Sequence, residues 1–319
     1  MSAPALRSVL ALVLGLTCIA EGAANEALSA QEAGQWLQRV ADSARRLTYE
    51  GKFVFQQGDV LQTMYVVSRA SGGQKHTQLV TLDGTPRELL CREGETLIVT
   101  HEGGAPRVER RPGSRHFPDL LPANAAVLVN WYSVRWGEND RVAGLDCRWL
   151  ELAPRDVYRW RHELCVEKDS LLPLKAVMVN EAGRPLQQYA FTEVTIGTGV
   201  RPAAPQRSLP AVEPPPLRAS TADMLTLRQL PPGYTRIAAV KRRLPNRPQE
   251  VEHWLYSDGL TYISLFIEPA TRPLEPFKGA SPRGMLNLLS RRVGNWQVTV
   301  LGDAPWPAVE AIAHAVAER

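Results

Sequence analysis

The sequence predicts an α+β chain with two β-rich parts: a large curved antiparallel sheet with one long helix, then a smaller α+β domain. Three observations predict this arrangement. One capped amphipathic helix precedes many short strand-like runs, a proline-rich segment interrupts the pattern at residues 197–222, and further strand-like runs with a terminal helix follow it. A chain of 319 residues is also longer than one hydrophobic core usually supports.

Residues 1–24 are predicted to be a cleaved secretion signal. Arg7 precedes an apolar stretch at 9–20, and the small residues at 22–24 offer a signal-peptidase site. A retained membrane anchor needs about 20 apolar residues, and the residues around Cys18 make a poor attachment site for lipid. The mature chain is therefore expected to work outside the cytoplasm.

The first element of the mature chain is a predicted helix. Ser29 and Glu32 form the S-x-x-E capping box that marks a helix start. Apolar side chains then recur at helical spacing on one face: Ala33, Trp36, Leu37, Val40, Ala44 and Leu47. That face is expected to lie on a sheet.

The rest of the first domain, residues 25–196, is predicted to be an antiparallel sheet. Runs rich in aromatic and β-branched residues, separated by glycine-containing turns, predict strands at 49–55, 60–68, 74–81, 87–91, 96–100, 132–136, 146–152, 157–166, 174–180 and 186–195. A less regular insert, 112–130, interrupts them. Its neighbourhood is basic, which suits lipid phosphates, an acidic peptide or a solvated loop: Arg107, Arg110, Arg111, Arg115 and His116.

Cys147 and Cys165 are the most informative cysteines. If the turn between their strands centres on Asp156, the two residues lie directly opposite each other, and an oxidising compartment could join them in a disulfide. Two buried free thiols are the alternative. Cys91 is expected to be a core residue.

Residues 197–222 are predicted to be an extended linker, because prolines are frequent there and apolar residues are few. The second domain, residues 223–319, has predicted strands at 236–240, 251–256 and 260–267, a hairpin around Gly294, and a helix at 308–317.

The chain carries little recognisable catalytic chemistry. It has no G-x-S-x-G, H-E-x-x-H, C-x-x-C or P-loop motif. Six scattered histidines lack the spacing of metal ligands: His76, His101, His116, His162, His253 and His314. The net charge of +4 is too small to predict nucleic-acid binding, and the export signal argues against it. We therefore predict no enzyme, cofactor or metal, although a triad of distant residues stays open.

Bulky apolar residues on the strands suggest a concave surface that could admit an acyl chain. Strand position alone selects Phe53, Tyr65, Trp136 and Met178 as lipid-contact candidates. The alternative is that these side chains simply pack the core.

Short motifs in both domains carry a family resemblance. The second domain has LPPGY at 230–234, RRLP at 242–245, and LYSDGL at 255–260 followed by TYISLFIEP. The first domain agrees in order and spacing, with LDGTPRE at 82–88, RVAG at 141–144, LPLK at 172–175, NEAGRPL at 180–186 and YAF at 189–191. Together these motifs resemble the RseB/MucB family of periplasmic regulators of the envelope-stress sigma factor.

The resemblance implies a fold and a function. The first domain would be an unclosed β-barrel with a helix, similar to the lipoprotein carriers LolA and LolB. The protein would bind the periplasmic domain of an RseA/MucA-like anti-sigma factor and protect it from site-one proteolysis. Lipopolysaccharide or another acyl lipid would release the anti-sigma factor. This requires only that lipid and anti-sigma peptide prefer different states of the protein, so that each weakens binding of the other.

Partner contacts are expected in the second domain. Arg242 and Arg243 are candidates because charges beside Pro245 on an exposed loop could meet an acidic peptide. Tyr256, Asp258 and Leu260 belong to the family-like motif, although Asp258 also suits a tight turn between strands. A periplasmic lipid or lipoprotein carrier is the alternative function, an extracytoplasmic hydrolase ranks third, and homo-oligomerisation stays open.

Overall fold

The computed structural model describes residues 27–71, 74–92, 95–101, 106–112, 115–197, 218–220, 225–243, 249–270, 277–280 and 286–319. The predicted secretion signal, at 1–24, and most of the predicted linker lie outside these residues.

Helix α1 (Ala30–Arg46) begins at the predicted capping box. The backbone N–H of Glu32 donates to the Ser29 hydroxyl, and the Glu32 carboxylate accepts from the backbone N–H of Ser29 at 3.1 Å. Its buried face lies against the inner side of the first sheet: Ala33, Gly34, Leu37, Val40, Ala41 and Ala44. Trp36 and Leu47 are only partly buried at the margin of this face.

The first sheet has eleven antiparallel strands within the described residues. In chain order they are β1 (Tyr49–Gln57), β2 (Val60–Ser71), β3 (Gln74–Thr81), β4 (Arg87–Arg92), β5 (Glu95–Thr100), β6 (Arg107–Pro112), β7 (Tyr132–Val142), β8 (Leu145–Pro154), β9 (Arg161–Glu167), β10 (Pro173–Val179) and β11 (Pro185–Ile196). Their spatial order is β6-β5-β4-β3-β2-β1-β11-β10-β9-β8-β7, so β6 and β7 form the two ends and the described sheet stays unclosed. The predicted fold class is confirmed.

Strand β6 corrects the prediction for the basic cluster. The cluster was predicted to belong to the irregular insert, but Arg107, Arg110 and Arg111 lie in this strand, where Glu109 pairs with Ile98 of β5. The strand was missed because an edge strand tolerates charged side chains that hide its alternation. The segment that follows ends in a short 3-10 helix, Ala125–Asn130, packed beneath α1.

A disulfide joins Cys147 and Cys165, whose Cα atoms are 5.5 Å apart. The predicted register was wrong, however, because Cys165 lies opposite Trp149, two residues from Cys147. The connection between β8 and β9 is longer than expected, and β9 starts only at Arg161. The cysteines are therefore diagonal neighbours, a placement still within bonding reach. Cys91 packs against the first core, where burial raises the pKa of its thiol.

The second domain is a smaller α+β unit. Its elements are β12 (Arg218–Ala219), β13 (Leu225–Leu227), β14 (Thr235–Arg243), β15 (Glu250–Ser257), β16 (Tyr262–Pro269), β17 (Phe277–Ala280), β18 (Asn287–Val293), β19 (Trp296–Gly302), α2 (Trp306–Ala315) and β20 (Val316–Glu318). Within the part of this domain that the structure describes, seven strands form an antiparallel sheet in the order β12-β14-β15-β16-β19-β18-β17, and β13 pairs with β20.

Two boundaries in this domain differ from the prediction. Arg218–Ala219 falls inside the predicted linker but pairs with β14, so the end of that segment completes the second sheet. The terminal helix ends at Ala315, because the following residues pair with β13. Helix α2 packs its apolar face on the second sheet. The two sheets thus have separate hydrophobic cores.

Candidate functional site at the domain junction

The two domains meet around Arg159, which lies in the loop between β8 and β9. Its side chain has no solvent exposure, and its guanidinium pairs with the carboxylates of Asp156 and Asp258 and donates to the carbonyl of Pro232. Asp258 and Pro232 belong to the second domain. A buried charge needs such partners, because removal from water is costly.

Aromatic rings complete the surroundings of Arg159. Its Cζ lies 5.0 Å from the centroid of Trp131 and 5.3 Å from that of Tyr234, so both rings interact with the cation. Gly233 makes this packing possible. Its φ is +79°, and a Cβ there would lie 2.5 Å from Trp131 and 2.6 Å from Arg159. The junction therefore requires glycine at this position.

Asp258 closes the turn between β15 and β16 and also reaches the first domain. Its Oδ1 accepts from the backbone N–H groups of Leu260 and Thr261 at 3.0 and 2.9 Å, which is the tight turn that the sequence predicted. Its Oδ2 accepts from the Tyr132 hydroxyl at 3.1 Å. Burial, and then the nearby carboxylate, raise the pKa of Tyr132, so this hydroxyl stays protonated and donates.

The 258–260 turn enters the open side of the first sheet, where the chain between the end strands β6 and β7 contacts it. Gly259 has a φ of +106°, and a Cβ there would lie 3.3 Å from Leu128 and from Pro122. Arg115 donates to the Gly259 carbonyl. Leu260 packs against the first core. Every residue of the turn therefore contacts the first domain.

Further contacts extend the junction on both sides. Arg242 pairs with Glu109 of β6. Trp160 donates its indole N–H to the Asp303 carbonyl at 2.9 Å. Tyr234 donates its hydroxyl to the carbonyl of Tyr158 at 3.0 Å.

A cavity of about 150 Å³ lies behind the 258–260 turn. The inner face of β8 to β11, the segment after β6 and the second domain contribute its walls: Arg115, Leu120, Leu121, Leu152, His162, Leu164, Ala176, Val177, Met178, Gln187, Tyr189, Leu260, Tyr262 and Asp303. The cavity is a mainly apolar space that suits binding.

His162 and Asp303 are two of the titratable side chains that line this cavity. Burial lowers the pKa of His162 to about 4, so its imidazole is neutral at pH 7. Its Nε2 is buried and has no hydrogen-bond partner among the described residues. Burial raises the pKa of Asp303 to about 6, although its Oδ1 accepts from the backbone N–H of Tyr262 at 2.9 Å.

The lipid candidates from the sequence are not brought together. Met178 lines the cavity. Phe53 belongs to an aromatic cluster beside the cavity. The centroid of its ring lies 5.0 Å from that of Phe117 and 6.2 Å from that of Tyr189.

Tyr65 and Trp136 lie elsewhere. Tyr65 faces the opposite side of the sheet and donates its hydroxyl to Glu50 at 2.9 Å. Trp136 packs edge-on against Trp36 of α1 at 5.2 Å. Strand position alone could not separate the two faces, because both carry large apolar residues.

The partner candidates fall into two groups. Arg242 and Arg243 lie at the end of β14 and not on an exposed loop, and of the two only Arg243 is exposed. Tyr256 is buried in the second core, where burial raises the pKa of its hydroxyl to about 12. Asp258 and Leu260 are at the junction.

Sequence reasoning missed Tyr132 and Arg159, and it singled out Arg115 only as one member of a basic cluster. Only the three-residue spacing of Asp156 and Arg159 hints at a local ion pair. Among the described residues, no cluster of three or more His, Cys, Asp or Glu side chains could hold a metal ion. None of the described helices has the length and apolar character needed to cross a membrane.

Comparison with known proteins accounts for both domains. Residues 32–213 match the MucB/RseB N-terminal domain, and residues 220–317 match the MucB/RseB C-terminal domain. The chain belongs to the MucB/RseB family. The family expected from the motifs is thereby confirmed.

Named MucB/RseB members are regulatory proteins. The sigma factor AlgU regulatory protein MucB of Pseudomonas aeruginosa is 30% identical over 91% of this chain and 92% of its own length. The sigma-E factor regulatory protein RseB of Escherichia coli K12 is 22% identical over 88% of this chain and 89% of its own length. These names agree with the prediction of a regulator without enzymatic activity.

Solved MucB structures share the fold. The MucA/MucB complex of Pseudomonas aeruginosa matches with a TM-score of 0.71 and 28% identity, over 90% of this chain and 99% of that chain. A crystal structure of MucB matches with a TM-score of 0.65 and 26% identity, over 91% of this chain and 98% of that chain.

Proposed function

We propose that this chain binds the periplasmic domain of an RseA/MucA-like anti-sigma factor and shields it from the site-one protease. The likeness to MucB in its complex with MucA carries the proposal, because it covers 90% of the chain and therefore both domains. Binding of an extended segment needs a shaped surface and no catalytic group. We place the protein in the periplasm, after removal of residues 1–24.

Within this proposal the candidate residues have two roles. Arg243 is the best direct contact for an acidic peptide, because it is exposed at the end of β14. Arg242 already has an ion-pair partner in the first domain, for which a peptide would compete. Asp258 and Leu260 would act by holding the junction in its binding geometry, and Tyr256 by packing the second core.

The test uses the purified mature chain, the anti-sigma periplasmic domain from the same genome and the site-one protease. Saturating mature chain should slow cleavage at least tenfold. Changing Arg242 and Arg243 together to Glu should weaken binding at least tenfold, about 1.4 kcal/mol. Arg292→Glu, an exposed arginine at the β18–β19 hairpin, is the matched control. No protection at saturation would remove the proposal.

The proposed lipid response has its own support in the apolar cavity between the domains. Ligand sites usually measure about 300–1,000 Å³. The cavity here, of about 150 Å³, would have to enlarge to take an acyl chain. A lipid that binds the enlarged form would weaken anti-sigma binding. The anti-sigma segment would weaken lipid binding by the same factor.

A lipid carrier is the second candidate, favoured by the open first sheet. It would move a fluorescent acyl lipid between vesicles faster than the uncatalysed exchange. Transfer at the uncatalysed rate would leave only the regulatory function.

A further inference from the structure

We propose that the 258–260 turn is a removable plug in the open side of the first sheet. An aliphatic chain with an anionic head displaces it on entering the cavity behind it. The inference rests on the lipid response in the proposed function and adds the site and the moving part.

The plug presents three chemical groups to the first domain. The Asp258 carboxylate accepts from Tyr132 and pairs with Arg159, and the Gly259 carbonyl accepts from Arg115. The Leu260 side chain lines the cavity. An anion, a polar acceptor and an aliphatic group therefore follow one another along the turn.

An aliphatic chain with an anionic head offers the same chemistry. Its head would meet the two guanidinium groups and the Tyr132 hydroxyl, which bind the turn in the present structure. Its chain would cover the apolar side chains of β8 to β11. His162 also lines the cavity, and its buried Nε2, without a partner among the described residues, could accept or donate one further hydrogen bond. Because plug and ligand need the same groups, they exclude each other.

The size of the cavity requires a wall to move. A space of about 150 Å³ holds a molecule about as large as benzene, so a chain of ten carbons needs more room. The strand wall is braced, because β8 to β10 each pair with a strand on both sides and Cys147 is bonded to Cys165. The other walls are the segment after β6 and the second domain, and the part of the second domain that enters the first is the plug, which side-chain contacts hold. The plug is therefore the wall that yields.

The ion pair of Arg159 and Asp258 suits a reversible contact. Neither side chain is exposed when the plug is seated, so the pair pays a desolvation cost that offsets much of its attraction. Separation returns both charges to water or gives Arg159 to the anionic head. The ion pair can therefore fix the position of the plug and still break when a ligand binds.

Hydrogen exchange at the turn tests the plug directly. The backbone N–H groups of Leu260 and Thr261 donate to Asp258 inside the turn, and Thr261 is fully buried, so both amides become accessible to water when the turn leaves the junction. The mature chain would be measured with decanoate, decyl phosphate or neutral decyl maltoside, each below its micellar concentration. Either anionic probe should raise exchange at these amides at least fivefold, with α2 unchanged and the neutral probe without effect. Binding of an anionic probe without faster exchange, or no binding of either, overturns the proposal.

Leu260→Ala provides a second readout. A weaker plug competes less, so the affinity for the active anionic probe should rise at least fivefold. Leu82→Ala, at an exposed leucine in the β3–β4 turn, is the matched control and should leave affinity unchanged. Unchanged or lower affinity in Leu260→Ala contradicts the plug.

Protection of the anti-sigma segment is measured on the same preparations without probe. Intact protection with an unresponsive turn overturns the plug alone. A responsive turn without protection overturns the proposed function alone.

Discussion

Arg159 of the first domain and Asp258 of the second form a fully buried ion pair, with Nε and Oδ2 3.1 Å apart. Tyr132 also donates to this carboxylate, and the rings of Trp131 and Tyr234 flank the guanidinium. This buried pair and the groups around it lie at the centre of the junction between two domains with separate cores, and the Arg242–Glu109 pair adds a second charged contact.

Replacing Arg159 by methionine should be strongly destabilising, because it leaves Asp258 buried without its cation. We expect the free energy of unfolding to fall by about 3–5 kcal/mol, measured by urea denaturation. The double variant Arg159→Met with Asp258→Asn should recover part of the loss, since an amide oxygen can still accept from the turn. A loss below about 1 kcal/mol in the single variant would show that the pair is unimportant.

Gly233→Ala should disturb the junction beyond its backbone strain. The new Cβ would lie 2.5 Å from Trp131 at a φ of +79°. Gly183→Ala is the matched control, because Gly183 has a φ of +75° and no atom within 4 Å of the added Cβ. The control should cost about 1–2 kcal/mol from strain, and Gly233→Ala about 2 kcal/mol more. Equal losses in thermal or urea unfolding would argue against close packing here.

The Cys147–Cys165 disulfide should stabilise the first domain. The bonded residues are 18 apart in sequence, and a loop of this size gains about 3 kcal/mol from restriction of the unfolded chain. Changing both to Ala should lower the urea midpoint, and a reductant should then have no further effect. Cys91→Ala is the control and should keep the wild-type response to reductant. A double variant as stable as the wild type would contradict this.

Buried histidines should make the protein acid-sensitive. Burial lowers the pKa values of His116, His162 and His253 to about 4, whereas in the unfolded chain they titrate near 6.5. Between these values the unfolded state binds more protons, so stability falls as pH falls, by up to about 1.4 kcal/mol per pH unit for each histidine. The pKa of Asp303 is raised to about 6, so protonation of this carboxyl favours the folded state below pH 6. One carboxyl offsets only part of the stability lost through three imidazoles.

The measurement is urea unfolding between pH 7 and 4.5. His162→Leu should flatten the loss of stability with acid, because one of the three protonations disappears. His314→Leu, at an exposed histidine, is the control and should follow the wild type. A parallel decline in His162→Leu would exclude His162 as a contributor.

Local patterns predicted the elements well. The Ser29 capping box and the glycine-containing turns are read from neighbouring residues, and the structure places a helix and hairpins there. The register around Cys147 was wrong because loop length, not strand pattern, sets how β8 and β9 align. Strand β6 was missed because its charged side chains lie at a sheet edge.

The junction could not be predicted in the same way. Arg159 and Asp258 are distant in sequence, and neither belongs to a periodic pattern that indicates contact. Asp258 was correctly expected in a turn, but its second oxygen serves another domain. Likewise, Arg242 was expected to be free, whereas it pairs with Glu109 of the first sheet. Such contacts follow from domain placement, which a single sequence does not encode in local spacing.

Titration of the anti-sigma periplasmic domain with the mature chain, followed by timed site-one proteolysis, tests the central claim most directly. We expect a saturable complex and a cleavage rate that falls in proportion to the fraction bound. A cleavage rate that stays constant across the titration, with the mature chain folded, would contradict the account.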